Sequence, residues 1–393
     1  VNYAPDSHFP EFDWLFADTK ERQESLHELR KPWLAKGICG YIAFRHADCT
    51  AILRDSRWHN SASYGIAMLG QNEGKPDSLW MAEGESHSRL RRLVAPAFSP
   101  KLADSLRSKM QSILEESIDE IDTNSQIELM TELINTYPMK VISEVLELPD
   151  GDWLAFSKWS EDMLSIWRGK AVENVGAILN AHLEMQAYTK DLIEHRRKHP
   201  GDDLVSALIS AHDQDDRLDE AEMMMIIMSI IVGGSDTTRN QVGSVIATLL
   251  DHPTEWARVV NNPRLADSAT DEAIRYSSIT TSTSRFASED ITYRGVLFPR
   301  GTLMALSLAV ANRDLDVFPD PDRFDIERTN SKQALTFGGG IHYCLAAALG
   351  RAEIQEAIRV LATRMPKLEV DGEIVWKDPG LGVHAPTSLP VRF

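Results

Sequence analysis

The stretch Phe337-Gly-Gly-Gly-Ile-His-Tyr-Cys344 constrains this chain more than any other. Three consecutive glycines admit left-handed backbone and bring bare N–H groups close to whatever Cys344 carries, a geometry that residues with a Cβ reach with difficulty. The run that follows, Leu345-Ala-Ala-Ala-Leu-Gly-Arg351, reads as a helix. The sulfur then sits just ahead of a helix N-terminus, where orphan N–H groups and the macrodipole favour negative charge. Such a position is expected to lower the thiol pKa and leave a thiolate able to ligate a metal. A lone cysteine is ordinarily a small buried hydrophobe. The glycine frame argues for the ligand instead.

A second feature is a long helical pattern. Asp219 with Glu222 has the form of a capping box, and the pattern continues from Met223 through Gly233-Gly-Ser-Asp236-Thr237 to about Leu250. Some thirty residues at about 1.5 Å each predict a helix of roughly 45 Å. Two adjacent glycines cost about 1 kcal/mol each against alanine in a helix interior. They are therefore expected either to interrupt the helix or to let a neighbour pack closely. Counting back along the face of Gly233 puts Ser229 and Ile226 beneath it and Val232 beside them.

Two charged pairs sit at helical spacing. His87 and Arg91 are four apart on a helix with Ser86 as a candidate N-cap, and Glu272 and Arg275 are three apart on a short helix opened near Asp267. Read on their own, these are a solvated face and a surface salt bridge contributing under about 1 kcal/mol.

The remaining chain punctuates these features. Trp14, Phe16 and Trp33 fall among turn signals, Gly40 to Phe44 reads as a strand, His46 to Arg54 as an amphipathic helix, and Trp58 to Leu79 as a loop. Residues 103 to 212 read as successive helices broken at Pro149-Asp-Gly151 and His199-Pro-Gly201. Trp153, Trp159, Met163 and Trp167 form either a core stripe or a mobile lid. Residues 291 to 310 alternate like short strands, and strand-like pieces close the chain.

Charge and cysteines narrow the function classes. A formal net charge of −18, from 59 acidic and 41 basic residues, argues against non-specific nucleic-acid binding through a dominant basic field. Cys39, Cys49 and Cys344 are an odd number in a long chain and suggest a reduced cytoplasmic compartment rather than a disulfide framework. No apolar run approaches the roughly 18 to 20 residues of a membrane anchor, and the start, Val1-Asn-Tyr-Ala-Pro, lacks a signal-peptide pattern.

The loop around Cys344 resembles the haem-binding loop of the cytochrome P-450 family, with Phe337 seven residues and His342 two residues ahead of the cysteine. The resemblance implies haem b, with Cys344 as the axial thiolate that favours O–O cleavage and Phe337, Gly338 and His342 around it. The second residue after the cysteine, commonly glycine in the family, is Ala346, and a glycine appears later at Gly350. Three further segments resemble family motifs in the right order. His87-Ser-Arg-Leu-Arg91 resembles H-x-R-L-R, which implies that His87 and Arg91 hydrogen-bond the haem propionates, with Arg89 and Arg92 pointing elsewhere and Arg92 available to an acidic electron donor. Gly233 to Thr237 resembles the oxygen-activating motif, which implies that Asp236 relays protons, that Thr237 steadies the activated oxygen, and that Ile226, Ser229, Val232 and Gly233 line the substrate pocket. Glu272-Ala-Ile-Arg275 resembles E-x-x-R, which implies a buried structural pair holding the loop beneath the haem.

Between these motifs, Ser277-Ser-Ile-Thr-Thr-Ser-Thr-Ser-Arg285 is hydroxyl-rich where the family more often shows proline and aliphatic residues. Matching positions imply that Arg285 is another propionate partner and that Thr281 and Ser282 approach the substrate, with Val383 near a turn that closes the pocket. Buried hydroxyls favour a substrate that already carries oxygen, because an unsatisfied one costs roughly 1 to 3 kcal/mol.

The resulting expectation is one mainly α domain over residues 1–393 with a small β-rich portion and haem between the long central helix and the cysteine loop. The implied activity is monooxygenation of a small or medium lipophilic molecule, by hydroxylation, O-demethylation or epoxidation. With no reductase module in 393 residues, electrons are expected from a separate ferredoxin-type partner and its reductase. Three rivals keep the haem: a peroxide-driven peroxygenase, a non-oxidative isomerase or dehydratase, and a carrier or sensor. Asp236-Thr237 argues against the peroxygenase, since the resemblance implies that the pair is replaced in that branch, while an isomerase or dehydratase has less need of proton delivery and a carrier has no purpose for the relay.

Overall fold

A computed structural model describes residues 2–4, 9–12, 28–37, 40–61, 78–121, 126–148, 151–164, 173–201, 203–215, 218–377 and 383–393. Trp14, Phe16, Cys39, Trp167, the Pro149-Asp150 break and most of the expected loop before Leu79 lie outside these residues.

The β-rich portion is a five-stranded sheet built from both ends of the chain. Strands β1 (Leu34–Gly37), β2 (Gly40–Ala43) and β3 (Trp58–Asn60) join β4 (Ser282–Ala287) and β5 (Leu303–Ser307) in the order β1-β2-β5-β4-β3. Only the β2–β5 pair is parallel. Tyr41, Trp58 and Met304 of this sheet join Phe298 of a neighbouring three-stranded sheet in an apolar core of their own. Trp58 to Asn60 is thus an edge strand, not loop. Its pairing partner, β4, lies more than 200 residues away, and three residues carry no periodicity that a sequence reading can detect.

The α portion includes α1 (His46–Arg54), α2 (Gly84–Val94), α3 (Pro100–Asp119), α4 (Tyr137–Val145), α5 (Trp153–Leu164), α6 (Val175–Lys198), α7 (Leu204–Asp215), α8 (Glu220–Asp251), α9 (Ala266–Tyr276) and α10 (Ala347–Arg364). α8 packs against α4, α5, α6, α9 and α10, so the larger apolar core is assembled around it. Trp159 is buried in that core, and its indole N–H donates to Glu184 of α6 at 2.7 Å, which ties α5 to its neighbour. No helix among the described residues is long and apolar enough to cross a membrane.

Both ends of α8 follow from sequence, but its middle does not. The Asp219–Glu222 capping box is present in both directions. The 32 residues then run as continuous helix, without the expected interruption at Gly233-Gly234. The glycines divide the two uses considered above. A Cβ on Gly234 would lie 2.9 Å from the Ile142 side chain, so this glycine permits α4 to approach, whereas Gly233 borders the cavity described below. α2 also begins earlier than the Ser86 cap implies, at Gly84, with Glu83 in the cap position and its carboxylate engaged elsewhere.

Candidate active site

The loop before α10 has the geometry its glycines demand. Gly338 and Gly340 take φ of 72° and 67°, while Gly339 is extended. A Cβ on Gly340 would lie 2.0 Å from the Leu53 carbonyl oxygen, so α1 presses on the loop where only glycine fits. Cys344 N–H donates to Phe337 O at 2.9 Å, closing the loop, and α10 begins three residues later. The Arg351 guanidinium covers the Phe337 ring at 4.4 Å and donates to Asp271 at 2.9 Å, which anchors the loop to α9.

Cys344 opens onto a cavity of about 290 Å³. Gly233, Thr237, Thr238 and Gln241 of α8 form one wall, and Phe337, Gly338, His342, Cys344, Ala346, Gly350 and Ile354 form the facing one. Ile279, Thr280, Thr283 and Arg285 close a third side, with Asn60 and Leu308. A thiol and the hydroxyl-bearing stretch of a long helix therefore line one cavity. Burial pushes the Cys344 thiol up, against a hydrogen bond from the Ala346 N–H and the positive charges of Arg91 and Arg351. This reverses the expected lowering: in the metal-free chain, desolvation outweighs the helix terminus. Cys49 is fully buried, donates to Ala43 O, and is pushed up further by burial and by Asp48 and Asp314, so it behaves as an inert core thiol.

The residues beside the cavity fit a haem with two propionates. Arg285 is only 4 % exposed, yet its guanidinium donates to nothing but Ser284 O at 2.8 Å and the Thr283 hydroxyl at 3.4 Å among the described residues. A buried guanidinium without an anion is costly, and burial pulls its pKa down despite the charge of Glu83 nearby. His87 is 1 % exposed, and its Nε2 is buried without a hydrogen-bond partner among the described residues. Burial, with His342 and Arg91 beside it, pushes His87 down to about 4. A buried guanidinium without an anion and an unpartnered imidazole nitrogen among the described residues fit a dianionic group.

The other rim residues carry structural duties as well. Arg91 donates to Ile341 O at 3.1 Å and Tyr343 O at 2.6 Å, so it clasps the loop that carries Cys344. The His342 ring lies 4.6 Å from that of His87, and its Nε2 bonds Glu83 at 3.1 Å. Arg89 turns away to Glu222 at the start of α8, as expected, and Arg92 is exposed beside an outer hollow formed with Gly340 and Ile341.

Pocket residues divide. Of the α8 positions, Gly233 lines this cavity, while Ile226 and Val232 are packed in the helical core and the Ser229 hydroxyl donates to Met225 O at 2.6 Å. On the third side, Thr280 and Thr283 face the cavity rather than Thr281 and Ser282. Thr281, whose carbonyl receives Ala309 N–H, keeps a buried hydroxyl without a partner among the described residues. Val383 reaches the rim by bridging to Thr280. Thr237 is open to the cavity, with its hydroxyl on Gly233 O at 2.7 Å. Asp236 is turned off the wall and is 3 % exposed.

Glu272 and Arg275 are a buried pair, both side chains fully inaccessible, joined by two hydrogen bonds of 2.7 and 2.8 Å. Arg328 joins them at 3.1 Å from Glu272, and Ser331 donates to the same carboxylate at 2.7 Å. Neither partner was evident from the i, i+3 spacing. Thr238, Gln241, Asn60 and Glu83 also went unrecognised, although Thr238 and Gln241 follow from helical phase once Thr237 is placed.

Comparison with known proteins agrees with this geometry. The cytochrome P-450 family model matches residues 153–361. The mycinamicin IV hydroxylase/epoxidase of Micromonospora griseorubida is 34 % identical over 381 residues, covering 94 % of this chain and 93 % of that protein. The luteothin monooxygenase of Streptomyces thioluteus is 31 % identical over 391 residues, covering 98 % and 94 %. The crystal structure of CalO2 superposes with a TM-score of 0.90 at 27 % identity, covering 98 % of each chain. With its thiol loop, its buried rim donors and these matches, the chain belongs to the cytochrome P-450 family and is a haem-b-dependent, haem-thiolate monooxygenase.

Proposed function

We propose that this enzyme oxidises a medium-sized lipophilic molecule already bearing oxygen, with Cys344 as the iron ligand, His87, Arg91, Arg285 and His342 as the propionate partners, and Asp236 and Thr237 as the proton relay. When bound, haem supplies the reductive activation of dioxygen and the transfer of one of its atoms to substrate, the other leaving as water. The single observation that carries the reading is that the Cys344 thiol and Thr237 line one cavity. Thr237 holds a hydroxyl proton at that wall, and Asp236, one residue back on the same helix, is the group that replenishes it. The flanking apolar residues Ile279 and Leu308 exclude bulk water from the transfer.

The substrate class rests on the third wall. Thr280, Thr283 and Asn60 supply hydroxyl and amide groups there, Gln241 adds an amide from the α8 wall, and Trp80 lies against Gly233 as an apolar surface. A relative named for acting on mycinamicin IV supports a lipophilic compound of this size. The electron donor we assign is a separate ferredoxin with its reductase, in the cytoplasm, docking where exposed Arg92 stands beside the outer face of the cysteine loop. The whole chain acts as one catalytic domain.

Optical titration of the ferric holoprotein tests the substrate class, with terpenes, steroids, methoxylated aromatics and oxygenated polyketides as the panel. Oxygenated members are expected to shift the iron toward high spin. A shift confined to terpenes without oxygen overturns the assignment. Thr237→Ala is expected to lower product per electron pair by about tenfold and to raise peroxide release, with the ferric spectrum unchanged. Coupling equal to the parent's removes Thr237 from the relay.

A further inference from the structure

Glu83 stands in the N-cap position of α2, where an acid ordinarily accepts from the N–H groups of the first turn, yet its side chain makes no capping bond. It is used elsewhere. Its Oε1 accepts the Asn60 N–H at 2.6 Å and bonds His342 Nε2 at 3.1 Å, and both of these residues line the cavity. Asn60 ends the edge strand β3 and pairs directly with Arg285 of β4, which brings the acid to the corner of the rim that holds the buried guanidinium.

Its surroundings keep it charged. Burial pushes the Glu83 carboxyl up, but the hydrogen bonds from His342 and the Asn60 N–H, with the His342 and His59 rings nearby, outweigh burial and hold it below the usual carboxylate range. An ionised carboxylate can only accept, so His342 Nε2 carries the hydrogen between them. Glu83 does not take up Arg285 in the same way: among the described residues the guanidinium donates to Ser284 O and the Thr283 hydroxyl and to no carboxylate. A fixed anion therefore shares the rim with the cations assigned above to the propionates. Arg91 and Arg285 match two propionates in number, and Glu83 leaves this set one negative charge in excess. His87 does not offset it, because burial, His342 and Arg91 push it down to about 4.

We propose that Glu83 is a positioning residue for the haem edge: it holds His342 and the end of β3 on the rim, and its charge makes the haem harder to reduce. This rests on the propionate reading given above and adds a residue that acts through His342 and through space. In a partly buried site a unit charge is weakly screened, so an extra anion disfavours the form that carries one more electron. Glu83 thus sets how readily the enzyme accepts its first electron.

Redox titration of the haem-loaded protein, followed through the ferric and ferrous spectra, tests this. Glu83→Gln keeps an oxygen for Asn60 and His342 and removes only the charge. It is expected to raise the equilibrium constant for one-electron reduction about tenfold, a midpoint shift of about 59 mV, with parent-like Tm and haem content. Glu83→Asp keeps the charge and is expected to stay near the parent. Glu83→Ala removes the acceptor as well, and is expected to release haem to apomyoglobin about fivefold faster, the loss of roughly one hydrogen bond. Arg285→Gln removes a rim cation and is expected to lower the midpoint. A parent-like midpoint in Glu83→Gln, while Arg285→Gln lowers it, overturns the proposal and leaves the rim standing. A shift in Glu83→Asp as large as that in Glu83→Gln, or parent-like haem release from Glu83→Ala, overturns it too. Parent-like midpoints and haem release in both Glu83→Gln and Arg285→Gln overturn the propionate rim, and the proposal with it. Midpoints are read on the loaded fraction, so a variant that takes up haem poorly still decides.

Discussion

Replacing Cys344 with serine removes the thiolate signature from the ferrous carbonyl spectrum and lowers turnover by at least about 10³-fold, as for other groups that act as one unit with their partners. The substitution is nearly isosteric and leaves the N–H of residue 344 on Phe337 O, so the loop keeps its closure. What it changes is the donor. On binding iron the sulfur would release its proton to solvent despite the burial that pushes the free thiol up, whereas an alcohol would bind as a weak neutral ligand and push no electron density toward the O–O bond. Circular dichroism like the parent's, with the thiolate band gone, is the expected pair of results. A retained thiolate band overturns the central assignment, since Cys49, the other described cysteine, is buried away from the cavity against Ala43. Cys49→Ser is the matching control and is expected to leave the spectrum intact.

The two cysteines show why some of this site was legible before any coordinates and some was not. Cys344 announces itself because its neighbours are glycines at positions where the backbone needs φ near +70°, and that demand is written in the local sequence. The capping box at Asp219 and Glu222 is legible for the same reason: both partners lie within one turn. The length and class of α8 follow from its apolar pattern. Its continuity past Gly233-Gly234 does not, because Ile142 and Thr237 settle the cost of the two glycines, and Ile142 comes from another helix.

Where the sequence reading missed, the deciding contact came from far along the chain. Thr281 and Ser282 were expected at the pocket, but Ser282 pairs with Ser307 of β5, the Thr281 carbonyl is taken by Ala309 N–H, and Thr280 and Thr283 line the cavity instead. Thiol acidity was misjudged for a similar reason. Helix-terminus effects are local and readable, while desolvation depends on what the rest of the fold places around the sulfur. His342 offers a further case: its position is fixed by the loop, but its bond to Glu83 and its contact with the His87 ring join segments more than 250 residues apart.

Arg275→Ala is expected to be the most destabilising single change outside the iron ligand. The guanidinium is fully inaccessible, bonds Glu272 twice, and caps the carbonyls of Asn312 and Pro321 at 3.0 Å each. Glu272 in turn receives the Asp325 N–H at 3.1 Å, Arg328 at 3.1 Å and the Ser331 hydroxyl at 2.7 Å. The segment from Phe318 to Ser331 is thus wound around one ion pair. Asn312 passes the order onward, with its side chain receiving Leu335 N–H at 2.7 Å and donating to Thr336 at 3.0 Å, just ahead of Phe337. Truncation leaves a buried carboxylate short of its main counter-charge and two buried carbonyls without donors, a loss of about 3–5 kcal/mol. For a chain of this size that corresponds to a fall in Tm of roughly 4–6 °C. Haem content falls with it, because the loop that presents Cys344 is the end of this wound segment. Arg275→Lys recovers less than half, since one ammonium cannot span both Glu272 oxygens and the two carbonyls. The exposed pair Arg392–Glu369, more than half accessible on both sides, is the control, and Glu369→Ala is expected to cost under about 1 kcal/mol. Thermal unfolding and haem content of the three variants decide the matter. An Arg275→Ala protein that melts and loads haem like Glu369→Ala would show that the pair, although buried, does not hold the cysteine loop in place.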